Sequence, residues 1–344
     1  MSTTLLPEWH PQDAVLLAWP HADTDWQASL TAIQHVFSDL IANIIQQQRV
    51  VLLVHNAQVK QQAMDQLDAN GISLESIIFI EVPYDDTWLR DSGPLSVTCD
   101  NHIQLHDFRF NGWGGKFAAN QDDQICRHLF ETGLFTSDTQ SHQLILEGGS
   151  IDTDGIGTLL TTRTCLLSKT RNPQMSESDY QDYFQQHLGI NKIHWLSHGE
   201  LAGDDTDSHI DMLARFCNTD TIAYTACRDK KDEHFGTLQD METELKDLRR
   251  ANGKPYNLIP LPIPAAIYNQ YGQRLPASYA NFLIINRTVL VPVYDDPMDD
   301  IACTALENCF PDREIIPVKA RNIIQQGGSL HCLTMQLPVG SLVN

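Results

Sequence analysis

Gln143-Leu144-Ile145-Leu146-Glu147-Gly148-Gly149-Ser150-Ile151-Asp152-Thr153-Asp154-Gly155-Ile156-Gly157-Thr158-Leu159-Leu160-Thr161-Thr162 carries the pattern that the rest of the chain repeats. A short apolar strand, Gln143 to Leu146, runs into a polar signature, Glu147-Gly148-Gly149, and then a hairpin turning at Asp154-Gly155. A helix over Asn120 to Glu131 precedes it. Downstream, helix Glu177 to His187 and strand Lys192 to Leu196 lead to Thr206-Asp207-Ser208-His209-Ile210-Asp211 and a hairpin near Asn218-Thr219-Asp220. Helix Leu238 to Ala251 and strand Tyr256 to Pro260 lead to Ser278-Tyr279-Ala280-Asn281 and a hairpin at Asn286-Arg287. Helix Ile301 to Cys309 and strand Glu314 to Val318 lead to Gln326-Gly327-Gly328-Ser329-Leu330-His331-Cys332. Upstream, helices Asp25 to Gln48 and Ala57 to Asn70 alternate with strands Val50 to His55 and Ile77 to Val82. That stretch ends in Tyr84-Asp85-Asp86-Thr87-Trp88-Leu89-Arg90-Asp91 and a hairpin of Leu95 to Thr98 with Ile103 to Phe110.

Five units of strand, strand, helix, strand result, each with a polar signature before its hairpin. Units of this size cannot bury their faces alone, and stacking them around an axis is the economical solution. The predicted fold is therefore α/β, a five-bladed pseudosymmetric propeller of ββαβ modules. The last hairpin lacks a second strand, and Ala14 to Trp19 can supply it, so the two termini are expected to pair and close the ring. An extra strand and helix in the first interval break the repetition. The alternative is an ordinary α/β sandwich. Residues 1–344 are expected to form a single domain with a central active site.

With 23 basic and 44 acidic side chains among 344 residues, the net charge is −21. Such a field repels nucleic acid and anionic membranes and draws in cations. Met1 to Glu8 has no basic, then apolar, leader pattern, and no apolar run reaches a membrane span, so a cytoplasmic location is expected. The eight cysteines show no CxxC spacing, so reduced thiols are expected, with no zinc site and no disulfide framework.

A ring brings equivalent positions of its modules together. The signatures should then converge as Asp91, Glu147, His209 with Asp211, Asn281 and Cys332. Cys332, carried away from a glycine turn on a β-favouring run, is the candidate nucleophile. His209 and Asp211 lie two apart on an expected strand and so share a face. Several carboxylates beside a thiol raise its pKa, which is an odd way to activate it unless the substrate is itself the cation. A planar guanidinium suits carboxylates that grip in bidentate fashion, and it would present its central carbon to sulfur.

The strings WLRDSGP, FRFNGWGGKF, LEGGSIDTDGIGTLLTT, TRNP, DTDSHID and GGSLHC resemble the agmatine deiminase and bacterial peptidylarginine deiminase family, from about Trp9 to Pro338. This guanidine-modifying superfamily has the five-bladed propeller fold. The resemblance implies Cys332 as nucleophile, His209 as general acid/base, Asp91 and Asp211 as guanidinium grips, and Glu147 as a further active-site acid. Asn281 resembles the amide of the peptidylarginine members. Trp88 and Trp113 are candidates to wall the substrate stem, with Asp85 and Gly328 as further substrate-binding candidates. Asp207-Ser208 stands where the family usually has Asn-Gly, and a two-glycine turn stands where agmatine deiminases usually have three glycines. The implied activity is hydrolysis of agmatine to N-carbamoylputrescine and ammonia, with peptidyl or free arginine as the alternative substrate. No cofactor, metal, nucleic-acid or membrane partner is expected. Oligomeric state is left open, with a homodimer as the candidate. A Cys-His protease has no use for the carboxylates, and a cation-binding module has no use for the thiol and imidazole.

Overall fold

The structure is a computed structural model that describes residues 3–135 and 138–343. Its first elements are strands β1 (Thr3–Leu5) and β2 (Gln12–Ala18), helix α1 (Leu30–Ile44), strand β3 (Arg49–Val54), helix α2 (Ala57–Ala69) and strand β4 (Ile77–Glu81). β3 pairs in parallel with β2 on one side and β4 on the other. From Val50 to Val54 every residue is buried, as expected of a central parallel strand covered on both faces. Val50, Leu52 and Val54 enter one apolar cluster and Val51 and Leu53 a second, the two-residue period of a strand dividing one run between two cores. α1 covers this sheet with Ile33, Val36, Phe37, Leu40, Ile41 and Ile44, spaced by three and four. Asn56 starts α2 by accepting hydrogen bonds from the backbone N–H groups of Gln58 and Val59.

Four further modules follow. The first is the hairpin β5 (Leu95–Cys99) and β6 (His102–Arg109), helix α3 (Ile125–Glu131) and strand β7 (Asp138–Ile145). The second is β8 (Ile151–Thr153), β9 (Thr158–Thr162), α4 (Glu177–Leu188) and β10 (Lys192–Leu196). The third is β11 (Ala214–Asn218), β12 (Thr221–Ala226), α5 (Phe235–Asp247) and β13 (Asn257–Pro262). The fourth is β14 (Leu283–Ile284), β15 (Thr288–Val293), α6 (Met298–Cys309) and β16 (Glu314–Lys319). In each, the hairpin is antiparallel and the strand after the helix pairs in parallel with the second hairpin strand.

The last strand, β17 (Met335–Pro338), pairs antiparallel with β2, Met335 opposite Leu16. The termini thus share a sheet of order β17-β2-β3-β4, and the extra pair of elements is α2 and β4. β1 joins β5 at the edge of the neighbouring sheet. The fold is the five-bladed α/β propeller read from the repeats.

Two local readings are corrected. His209 and Asp211 do not lie on a strand, because Ile210–Met212 forms one turn of 3-10 helix. Cys332 sits on a turn through Leu330–Leu333, and the strand begins only at Met335. Both segments cross from one blade to the next, and among the described residues neither pairs with a strand.

Candidate active site

Asp91 lies on a helical turn, Leu89–Ser92, directly before the first hairpin. Its Oδ1 accepts a hydrogen bond from the N–H of Gly149 at 2.9 Å, and its Oδ2 accepts one from Trp113 Nε1 at 2.9 Å. The indole reaches this point because Gly112, Trp113, Gly114 and Gly115 all take positive φ, 67°, 54°, 84° and 83°. For a tryptophan this backbone costs about 1–2 kcal/mol. The bond to Asp91 and the edge-to-face packing of Phe110 and Phe117 on the ring hold it there.

Gly149 marks where three signatures meet. A Cβ built on it would stand 2.7 Å from His209 Nδ1, 2.9 Å from Asp91 Oδ1 and 3.1 Å from Asp211 Oδ2. His209 lies between two carboxylates, with Nδ1 3.6 Å from Asp91 Oδ1 and Nε2 3.9 Å from Glu147 Oε2. Among the described residues neither ring nitrogen has a hydrogen-bond partner, and neither has Asp211 Oδ1, although all three atoms are buried. Cys332 Sγ is 3.6 Å from Asp211 Oδ2, and Asn281 Nδ2 approaches it at 3.3 Å. Asn281 Oδ1 accepts from the N–H of His331 at 2.9 Å, which fixes the turn that carries the thiol.

Cys332 and Asp91 open onto a cavity of about 930 Å³, shared with Trp88, Trp113, Asp85 and Gly328. Trp88 packs on Gly328, where a Cβ would fall 2.2 Å from the ring. His209, Asp211, Glu147 and Asn281 lie behind this wall, each 1% exposed or less. Asp85 turns partly away: its carboxylate accepts hydrogen bonds from the backbone and side chain of Gln121.

The electrostatics follow from burial among acids. Burial pushes the Cys332 thiol well above its ordinary range, and Asp211 and Asp91 push it further. Burial alone would lower His209, but Asp91 and Cys165 outweigh it and the imidazole stays protonated well above its usual value. Asp91 is raised by burial, partly offset by His209. Burial also works against the ionised forms of Asp211 and Glu147, yet both are held below the carboxylate range, Asp211 through His331 and Glu147 through His209 and Arg171.

The sequence reading missed Arg171, whose Nε donates to both Glu147 oxygens at 2.9 and 2.8 Å and whose Nη1 reaches Asp207 at 2.6 Å. It lies in the TRNP string, which was the available signal. Glu8, Arg215 and Cys165 were missed as well, and nothing in their sequence neighbourhoods marks them. Glu147, Cys165 and His209 bring three metal-binding atom types within 4.8 Å of one another. Arg171 already supplies the cation there, with both side chains fully buried.

Residues 4–338 match the family model described as Porphyromonas-type peptidyl-arginine deiminase. The chain belongs to this deiminase family. A Marinomonas sp. relative provisionally named agmatine deiminase is 33% identical over 96% of this chain and 93% of its own length. Among solved structures, a Porphyromonas gingivalis member provisionally named arginine deiminase is 43% identical, with TM-score 0.92, covering 99% of this chain and 100% of that one. The substrate-bound cysteine-to-serine variant of C. jejuni agmatine deiminase is 34% identical, with TM-score 0.91, covering 99% and 97%. As in the other deiminases it matches, the family likeness runs nearly the full length of this chain.

Proposed function

We propose that the chain hydrolyses agmatine to N-carbamoylputrescine and ammonia, with Cys332 as nucleophile, His209 as proton carrier, and Asp91 and Asp211 gripping the guanidinium. The observation that carries this reading is the Asp211 carboxylate: among the described residues its buried Oδ1 has no donor, and its Oδ2 lies 3.6 Å from a thiol that burial and two acids hold protonated. A guanidinium supplies what both lack: N–H groups for the oxygen and a positive charge that stabilises the thiolate.

In the first half, the bound cation lets the thiol release its proton to solvent through the cavity, and the thiolate attacks the guanidinium carbon to form a C–S bond. One C–N bond then breaks as the His209 imidazolium gives its proton to the departing ammonia. In the second, the now neutral imidazole takes a proton from water, whose oxygen attacks the thiouronium carbon. The C–S bond breaks, the remaining hydroxyl proton passes to the released sulfur, and the ureido product leaves. Glu147, anchored by Arg171, keeps a negative charge beside the ring that must cycle between the two protonation states.

The cavity favours a cationic tail. Asp23, Asp25, Asp85, Asp86, Asp205 and Glu233 line it. Its two lining cations are already committed, Lys116 to Asp207 and Arg274 to Asp232 and Glu233. Burial pushes Asp86 up to about 7, and an ammonium beside it would favour its charged form. The α-carboxylate of free arginine would meet acids instead. Arginine within a peptide has no such carboxylate, and the match to the peptidyl-arginine deiminase family model and the 57% exposure of Tyr268 at the cavity rim favour that second reading. All eight cysteines are free thiols, which suits a cytoplasmic place. Ammonia release from agmatine, arginine and an arginyl peptide tests the assignment. Agmatine is expected to give the highest kcat/KM, and a preference for the peptide would transfer the assignment to the second reading.

A further inference from the structure

His331 precedes the nucleophile, and its ring faces away from the cavity. Nδ1 lies 2.8 Å from Asp211 Oδ2 and Nε2 lies 2.6 Å from Glu8 Oε2. Each ring nitrogen thus lies within hydrogen-bond distance of one carboxylate oxygen, which fixes the ring from both sides. Glu8 comes from the segment between β1 and β2, far from every signature in sequence. Its Oε2 also accepts from Arg215 Nη2 at 2.6 Å, with Arg90 Nη2 at 3.7 Å, and its Oε1 accepts from the backbone N–H of Ile284. Burial alone would raise Glu8, but Arg215 and His331 together hold it far below the carboxylate range.

Glu8, Asp152 and Asp211 face Arg90, Arg215 and the His331 ring in this buried group, with Arg215 Nε 3.3 Å from Asp152 Oδ2. Glu8 and His331 do not line the cavity, and they stand in series behind Asp211: Glu8 lies 2.6 Å from His331, His331 2.8 Å from Asp211, and Asp211 3.6 Å from the thiol. What they reach is Asp211. A carboxylate turns freely about its last torsion, and one oxygen can be aimed at a ligand only if the other is anchored. Oδ2 is anchored by His331, and Oδ1 is the oxygen left without a donor among the described residues.

We infer that Glu8 is a positioning residue for deimination: it holds the His331 ring in place, and His331 in turn fixes Asp211 with Oδ1 aimed at the guanidinium. The inference rests on the deiminase reading above. Glu8→Gln keeps the shape and removes the charge, so the His331 ring loses its charged partner at Nε2 and its hold on Asp211 loosens.

The test is steady-state ammonia release from agmatine by the full chain, alongside thermal unfolding. Glu8→Gln is expected to lower kcat/KM by about 10- to 100-fold, the worth of one buried charge-assisted hydrogen bond, with KM raised. Added to Asp211→Asn, it is expected to cost almost nothing more, since both changes remove the same grip. Glu8→Asp, which keeps the charge, is expected to recover part of the loss. A merely structural role would lower kcat at unchanged KM by reducing the folded fraction. The inference is overturned by kcat/KM within about twofold of wild type, by a loss carried by kcat alone, or by losses that add to those of Asp211→Asn. If Glu8→Gln does not fold, His331→Asn takes its place: its amide nitrogen replaces Nδ1, keeps Asp211 and severs Glu8, and the same non-additivity is expected. Wild-type enzyme that releases ammonia from none of the three guanidine substrates would instead bring down the deiminase reading itself.

Discussion

Gly149→Ala inserts a single methyl group where three signatures meet. Gly149 is not among the residues with positive φ, so alanine meets no backbone strain there. The added carbon would lie 2.7 Å from His209 Nδ1 and 2.9 Å from Asp91 Oδ1, against at least 3.4 Å for ordinary contact. His209 or Asp91 must therefore shift by a large part of an ångström. Misplacement on that scale costs about 100-fold in rate, or about 2.7 kcal/mol of barrier. Overpacking costs about 1–3 kcal/mol of stability, which a domain of this size can absorb. Agmatine-dependent ammonia release by the folded variant is the assay. Gly236→Ala in α5 is the control: nothing lies within 4 Å of its added Cβ, so activity should be unchanged and stability raised by about 0.4–1 kcal/mol. Wild-type turnover by folded Gly149→Ala would refute the convergence of Asp91, His209 and Asp211 on the reacting group.

Arg171→Met strips Glu147 of its buried guanidinium and should cost about 3–5 kcal/mol in urea unfolding; a loss below about 1 kcal/mol would show that the pair is dispensable. Iodoacetamide should label Cys332 in the free enzyme slowly at neutral pH. Burial and the two acids hold the thiol above its ordinary value, so the rate should rise about tenfold per pH unit and still be climbing at pH 9. A plateau below pH 8 would contradict that environment. Ser208→Gly should raise stability by up to about 1 kcal/mol at unchanged activity, since Ser208 holds φ at 65°, and an unchanged or lower unfolding midpoint would count against strain there.

The repeat carried the architecture because each blade advertises itself locally. An amphipathic helix, a near-continuous apolar strand and a turn dipeptide are properties of adjacent residues, so α4 and β10 fall within a residue of the expected ranges. The signatures themselves were harder to read. The sequence pattern places His209 and Cys332 on strands, but each lies on a crossing between blades, where Asn281 accepts from the N–H of His331 beside the thiol and donates to the Asp211 carbonyl beside His209. The residues at and behind the cavity wall were legible because thiol, imidazole and carboxylates form one chemical set. Glu8, Arg171 and Arg215 were not, because a buried charge is recognised only by its partner, and Glu8 meets its partners across 207 and 323 residues of sequence. Asp207 and Ser208 show the reverse case: the residues that depart from Asn-Gly keep the left-handed backbone, and ion pairs from Asp207 to Lys116 and Arg171 help hold it.

Acid quenching during turnover, followed by mass analysis of the peptide that contains Cys332, tests the covalent chemistry most directly. The expected result is an adduct on Cys332 with the mass of agmatine less ammonia, present with substrate and absent without it. Full turnover of agmatine by Cys332→Ala, or an adduct found only on another cysteine such as Cys165, would contradict it.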